Sequence, residues 1–184
     1  LDMIEFDGSN RLRLLSVAEA NNILDFSSGG GAENNSGFTT LCAIRFDNIT
    51  GSKNPVVATS GSTSNGFGMR ISNSGNPEVY IGGTLYQNTG VTITGGDMII
   101  LGFSYDALSG DWALFESKSN STITGNTSAA DFTGSKEIYA GGSGNGGQRI
   151  DGQIGEVRIL KEGMTAQRLI SECLYLESKW IDGN

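Results

Sequence analysis

Apolar and polar residues alternate along most of this chain. In "GFTTLCAIRFD", Phe38, Thr40, Cys42, Ile44 and Phe46 fall on one side, and Thr39, Leu41, Ala43 and Arg45 on the other. A period of two sends successive side chains to opposite faces, so it predicts a strand with a buried side. The same beat returns further on. "GFGMRIS" turns Phe67, Met69 and Ile71 inward and Arg70 outward; "EVYIGG" turns Val79 and Ile81 inward, Glu78 and Tyr80 outward. "GGDMIILGFSYD" carries Ile99, Leu101, Phe103 and Tyr105 on one face. "MIEFDGSNRLRLL" reads as two short strands around a turn at Asp7-Gly8. "NPVVATSG", "GDWALFES", "SKEIYAGG" and "DGQIGEVRIL" add more. Roughly eleven or twelve strands at 8–12-residue spacing predict an all-β chain whose inward rows are buried between two packed sheets.

Other stretches break the beat. "SVAEANNILDF" (16–26) has room for one short helical turn, and "SSGGGAENNSG" (27–37) is a flexible loop by composition. "MTAQRLISECLYLESKW" places Leu169, Ile170, Cys173, Leu174 and Leu176 at helical spacing. It predicts an amphipathic helix over about 165–179, capped by Thr165, with Arg168 where a capping box would want Glu. One helix after a run of strands suggests a lid packed on the sandwich or across one of its ends. In "DGQIGEVRIL", Ile154, Val157 and Ile159 do not alternate strictly, which predicts a bulge at Gly155. Glu156 beside it reads as an acceptor for backbone amides or Arg158 rather than as a metal ligand.

Composition narrows the function. A length of 184 residues predicts a single domain, 1–184, with a sizeable core. The net charge of −8 argues against nucleic-acid partners and anionic membrane surfaces, which call for a basic patch. The chain has no run of 18 apolar residues, so no membrane-inserted helix is expected. With no histidine, the Ser-His-Asp triad, Cys-His nucleophiles and His-ligated zinc are excluded. Two cysteines, Cys42 and Cys173, read as buried thiols, with a bridge between helix and sandwich as the alternative. Asn-x-Ser/Thr sites at Asn34, Asn48, Asn120 and Asn126 are expected by chance in so Asn-, Ser- and Thr-rich a chain. The opening Leu1 in place of Met reads as a processed product or a fragment.

Taken in order, "IEFDGSNRLRL", "GFTTLCAIRF", "GFGMRIS", "EVYIGG", "MIILGFSYD", "EIYAGG", "DGQIGEVRIL" and the closing helical stretch resemble the laminin-G-like branch of the concanavalin A-like lectin/glucanase superfamily, in its bacterial and phage form. The resemblance implies a jelly-roll sandwich of two antiparallel sheets with one C-terminal α-helix. It also has departures: "MIILGF" stands where the family often has an aromatic-polar strand, "ESKSN" where it has a "VDG" turn, and Gly155-Glu156 where it has an Asp-Glu pair.

Three kinds of site follow. Hydrolases of this superfamily carry their carboxylates as Glu-x-Asp-x-x-Glu, which is absent here. Asp151 and Glu156 are the nearest strand pair, and their spacing places them on opposite faces of a regular strand; catalysis is not expected. Calcium is the more plausible ion, since several members of the superfamily hold it and it takes loop carboxylates and carbonyls. Asp7, Ser9 and Asp151 are its candidate ligands if the first and last strands pair, as the family suggests; the preferred reading is an Asx turn at Asp7-Gly8 and another turn at Asp151-Gly152. For a sugar, Arg45, Arg70, Glu78 and Tyr80 would suit as an outward ligand row if their strands share a sheet; the alternative is that the arginines are a solvated face. Tyr86 and Trp112 are possible aromatic platforms, Trp112 with a core position as its alternative. The expected function is a non-catalytic carbohydrate-recognition or adhesion module, extracellular or at the cell surface. The alternative is a virion structural protein, a phage decoration, fibre or tail component, whose partners are other protein subunits.

Overall fold

The computed structural model describes residues 3–16, 18–19, 37–59, 66–127, 137–142 and 148–183. Residues 27–36 of the loop expected over 27–37 and most of the helical turn expected over 16–26 lie outside these residues. The strands are β1 (Ile4–Asp7), β2 (Leu12–Leu15), β3 (Phe38–Asn48), β4 (Lys53–Thr59), β5 (Phe67–Ile71), β6 (Pro77–Ile81), β7 (Thr84–Gln87), β8 (Met98–Tyr105), β9 (Asp111–Glu116), β10 (Ser121–Asn126), β11 (Glu137–Ala140) and β12 (Asp151–Leu160). They form two six-stranded sheets: sheet A in the order β1-β12-β3-β8-β9-β10, and sheet B in the order β2-β11-β4-β5-β6-β7. Their pairings are antiparallel. This is the two-sheet, all-β sandwich expected from the alternation, in the jelly-roll form that the resemblance implies. The two strands around Asp7-Gly8 do not pair: β1 edges sheet A and β2 edges sheet B, so the turn carries the chain from one sheet to the other.

The inward rows meet as expected. Phe38, Cys42, Ile44 and Phe46 of β3 join Leu101 and Phe103 of β8 and Phe67, Met69 and Ile71 of β5 in the inter-sheet core. The Phe38 and Phe67 rings, from opposite sheets, lie 4.1 Å apart between centroids.

The outer side of sheet A is also buried. Leu41, Ala43, Ile100, Ala113 and Phe115 form a second core with Leu169, Cys173 and Leu176. These last three belong to α1 (Ala166–Trp180), whose N-cap is Thr165. An isolated helix of this length is marginal in water, so packing of the apolar stripe is what holds it. It lies across β8, β9 and β3 as a lid on the face of the sandwich. Closeness depends on Gly102 of β8, where a Cβ would collide with Sγ of Cys173. The linker into the helix is tied down by buried hydroxyls. Ser104 Oγ accepts from Met164 N at 2.6 Å, and Thr39 Oγ1 donates to the Glu162 carbonyl at 2.8 Å.

Candidate functional site

With sheet A covered by the helix, the polar residues of sheet B stand out. Alternation in β5 and β6 turns Met69, Ile71, Val79 and Ile81 into the core, and Arg70, Glu78 and Tyr80 to the outer face. Register then pairs Arg70 directly with Glu78, and Glu78 with Gln87 of β7. Arg70 Nε donates to Glu78 Oε2, and its Nη1 donates to Tyr80 Oη at 3.0 Å. The guanidinium also sits over the Tyr80 ring, 4.7 Å from its centroid. Gln87 Nε2 donates to the other Glu78 oxygen at 2.9 Å. Both Glu78 oxygens are therefore taken, and the carboxylate is buried beneath its partners. A buried ion pair of this kind adds little net stability over an apolar substitute, because desolvation offsets the attraction. What it does achieve is a guanidinium fixed in one orientation on a sheet face.

A second group on the same face was missed by reading the sequence. In β11, Ile138 and Ala140 enter the core, so Glu137 and Tyr139 face outward. Tyr139 pairs with Arg13 of β2, and Arg13 Nη1 donates to Glu137 Oε1 at 3.1 Å. Tyr139 Oη donates to Glu137 Oε2, and the Arg11 guanidinium lies over the Tyr139 ring, 4.6 Å from its centroid. The hydrogen bond from Tyr139 holds the Glu137 carboxyl below its ordinary range; burial opposes it, and the hydrogen bond and charge of Arg13 add to the lowering. The "RLR" and "EIY" alternations were visible signals. Their meeting was not, because the Arg13–Glu137 pair spans 124 positions.

The remaining expected site residues lie elsewhere. Arg45 belongs to β3 in sheet A, where it pairs with Asp47 at 3.1 Å, so it does not share a sheet with Arg70. Tyr86 faces Val79 in register, on the inner side of β7. There it packs on Trp112, 4.5 Å between ring centroids, and the two close the sandwich between β7 and β9. Trp112 is accordingly core rather than platform.

The first and last strands do pair, and the register sets Asp7 opposite Asp151. Asp7 Oδ1 accepts from Ser9 N at 2.9 Å and from Ser9 Oγ at 2.5 Å, a closed Asx turn. Those two hydrogen bonds hold the exposed Asp7 carboxyl below its ordinary value. Among the described residues, no group of three His, Cys, Asp or Glu side chains gathers as metal ligands.

Gly155 is bulged, as its sequence context predicts: the β12–β3 register slips between Ile154 and Glu156. Ile154 and Val157 both face the inter-sheet core, so the bulge turns Glu156 to the helix side. Asp151 and Glu156 thus share a face instead of opposing each other. Glu156 accepts from Arg158 Nε at 2.7 Å, Lys179 Nζ at 2.6 Å and Trp180 Nε1 at 2.9 Å. Burial alone would raise this carboxyl; the bonds from Lys179, Trp180 and Arg158 overcome it and bring it down to about 2. Glu156 is a latch for the end of the helix.

The cysteines are free and buried on opposite sides of sheet A, Cys42 in the inter-sheet core and Cys173 under the helix, so no bridge joins them. Burial pushes both thiols up, Cys173 to about 12.

No family model matches this chain, and no curated protein matches it. Solved structures do. The CBM40 module of the Ruminococcus gnavus IT-sialidase, bound to alpha2,3 sialyllactose, is 15% identical over 94% of this chain and 96% of its own, with a TM-score of 0.69. The leech intramolecular trans-sialidase, complexed with 2,7-anhydro-Neu5Ac, is 17% identical with a TM-score of 0.70. That match covers 94% of this chain and 27% of the leech protein. A heptameric SAP-like pentraxin from Limulus polyphemus is 12% identical over 76% of this chain and 70% of its own, with a TM-score of 0.58. At these identities the likeness is one of fold: this chain is built as the same jelly-roll β-sandwich.

Proposed function

We propose that residues 1–184 form a single non-catalytic carbohydrate-binding module of laminin-G-like type, whose ligand face is the outer side of sheet B around Arg70, and whose ligand is a sialylated glycan. The observation that carries the reading is the fixed guanidinium of Arg70, stacked over Tyr80 and oriented by the buried Glu78. A planar, permanently charged fork is suited to a carboxylate, the group that sets an acidic sugar apart from a neutral one. Tyr80 adds an aromatic body with a polar tip beside it, and Gln87 supplies amide chemistry at the rim. The likeness in fold to modules solved with sialyllactose supports the choice of sugar. The missing Glu-x-Asp-x-x-Glu pattern supports binding without hydrolysis. Such a module would work outside the cell or at its surface, where sialylated glycans are displayed.

Calcium at Asp7, Ser9 and Asp151 is a subsidiary proposal. It rests on the cross-strand pairing of the two aspartates at one edge of sheet A. Two carboxylates and a hydroxyl on an exposed edge would make a weak site, in the roughly millimolar class of extracellular modules.

The decisive experiment is calorimetry with 3′-sialyllactose, 6′-sialyllactose and lactose on the intact chain and on Arg70→Lys. The lysine keeps a cation beside Glu78, so the fold survives while the fork is lost. Saturable binding of the sialylated sugars but not lactose, weakened at least tenfold in Arg70→Lys, is expected. Equal response to lactose, or no response from any sugar together with self-association in light scattering, would overturn the reading and favour an assembly protein.

A further inference from the structure

The edge strand β7 adds two outward residues to the face around Arg70. Tyr86 points into the core, so Leu85 and Gln87 on either side of it point outward, in register with Tyr80 and Glu78. Arg70, Glu78 and Gln87 form one row across three strands, and Tyr80 and Leu85 belong to the next. The Gln87 amide is held in a single orientation. Its Nε2 donates to Glu78 Oε1 at 2.9 Å and to Asn76 Oδ1 at 3.3 Å. Asn76 is fixed in turn, because its own Nδ2 donates to the Val91 carbonyl at 2.5 Å. Carboxylate and amide oxygens accept, so both amide hydrogens of Gln87 are spent on them and its Oε1 is turned away. Gln87 is exposed, and among the described residues that oxygen has no donor. Leu85, on the same side of the strand, is 40% exposed and offers an apolar surface next to Tyr80. Arg70 spends Nε and Nη1 within the sheet, and its Nη2 has no acceptor among the described residues.

We propose that Gln87 and Leu85 are specificity-determining residues, which select an acidic sugar that carries an N-acyl group. This rests on the reading of Arg70 as the carboxylate anchor and deepens it. Three groups on one face call for three complementary groups on one ligand: an anion at Arg70, a hydrogen-bond donor at Gln87 Oε1 and a small apolar group at Leu85. An acetamido group supplies the last two together, its N–H for Gln87 and its methyl for Leu85. A hydroxyl in the same place keeps the donor and loses the methyl. A hydrogen there loses both.

The test is calorimetry with 3′-sialyllactose and with its two analogues that carry a hydroxyl or a hydrogen in place of the acetamido group, on the native chain, on Leu85→Ser and on Gln87→Met. On the native chain the hydroxyl analogue should bind about fourfold more weakly than sialyllactose, the worth of one buried methyl group. The hydrogen analogue should be weaker by about a further fivefold, the worth of one net hydrogen bond. Leu85→Ser should erase the first difference and Gln87→Met the second, so that each residue is coupled to one group of the sugar. A residue that merely supported the fold or held Glu78 would weaken all three ligands alike, and that outcome refutes the assignment. Leu85→Ser leaves the Glu78 hydrogen bonds untouched, so it decides even where Gln87→Met disturbs Arg70. Equal affinity of the native chain for the three ligands overturns N-acyl selection and leaves Arg70 as the anchor. Failure of all three to bind overturns both readings together.

Discussion

Gly155 and Trp180 share one contact that joins the last strand to the end of the chain. A Cβ on Gly155 would lie 2.5 Å from the Trp180 ring, closer than any side chain tolerates. The bulge that turns Glu156 toward the helix leaves its glycine bare for the indole, and the indole N–H then donates to Glu156. Gly155→Ala should therefore displace Trp180. Overpacking of this kind costs about 1–3 kcal/mol, and the tryptophan emission should shift to the red. Unchanged stability and emission would refute the contact.

The Glu156 latch has a pH signature. Its folded value of about 2 lies below the ordinary 4.5, so the native state binds fewer protons than the unfolded chain. Its stabilisation is complete above pH 4.5 and is lost as pH falls toward 2. The shift corresponds to at most about 3 kcal/mol, reduced by partial solvent exposure. Glu156→Gln should lower the stability at pH 7 and flatten its decline between pH 4.5 and 2, measured by urea unfolding at several pH values. A parallel decline in both proteins would show that Glu156 has no such role.

Deleting residues 165–184 should expose the outer side of sheet A, with Leu41, Ile100 and Phe115 in water. Each large apolar side chain so exposed forfeits about 1.5–3 kcal/mol. The truncated chain should be destabilised or aggregate, as light scattering and thermal unfolding would report. A native oligomer that falls apart into stable truncated monomers would mean that the helix serves assembly instead.

Calcium has a direct test at Asp7 and Asp151. An ion held by the native state raises the melting temperature by mass action. Millimolar calcium should raise it, EGTA should reverse the rise, and Asp151→Asn should abolish it. No shift in the native protein would leave the Ser9-closed Asx turn as the whole explanation of Asp7.

The cysteines should be inert. The thiolate is the reactive form, and burial disfavours it at both positions. A thiol reagent should label Cys42 and Cys173 at the rate of unfolding. Rapid labelling of Cys173 at pH 8 would indicate that the helix lifts from the sheet.

Much of this was legible in the sequence. Alternation is a local property, so the inward rows of β3, β5, β6 and β8 could be read residue by residue, and so could the outward positions of Arg70, Glu78 and Tyr80. The helix and its Thr165 cap were equally local, with an offset of one residue at each end. So was the bulge at Gly155, which interrupts a count of two. Which strands lie side by side is not local. Arg45 and Arg70 have the same outward phase, yet one belongs to each sheet, and nothing within either strand says so. Tyr86 has the phase of an inward residue of β7, which shows only when Val79 is known to be its partner. Arg13 and Glu137 meet across nearly the whole chain.

Side-chain phase, turn chemistry and the absence of histidine were thus set by the sequence itself, because each depends on neighbours a few positions away. Strand order, the burial of both faces of sheet A, the separation of the two thiols and the gathering of two arginine–tyrosine centres on sheet B were decided by tertiary structure. The reason is physical. A strand's hydrogen bonds and a sheet's outer face are satisfied by partners far away in the chain, and their choice depends on how all the apolar surfaces, the helix included, are buried at once.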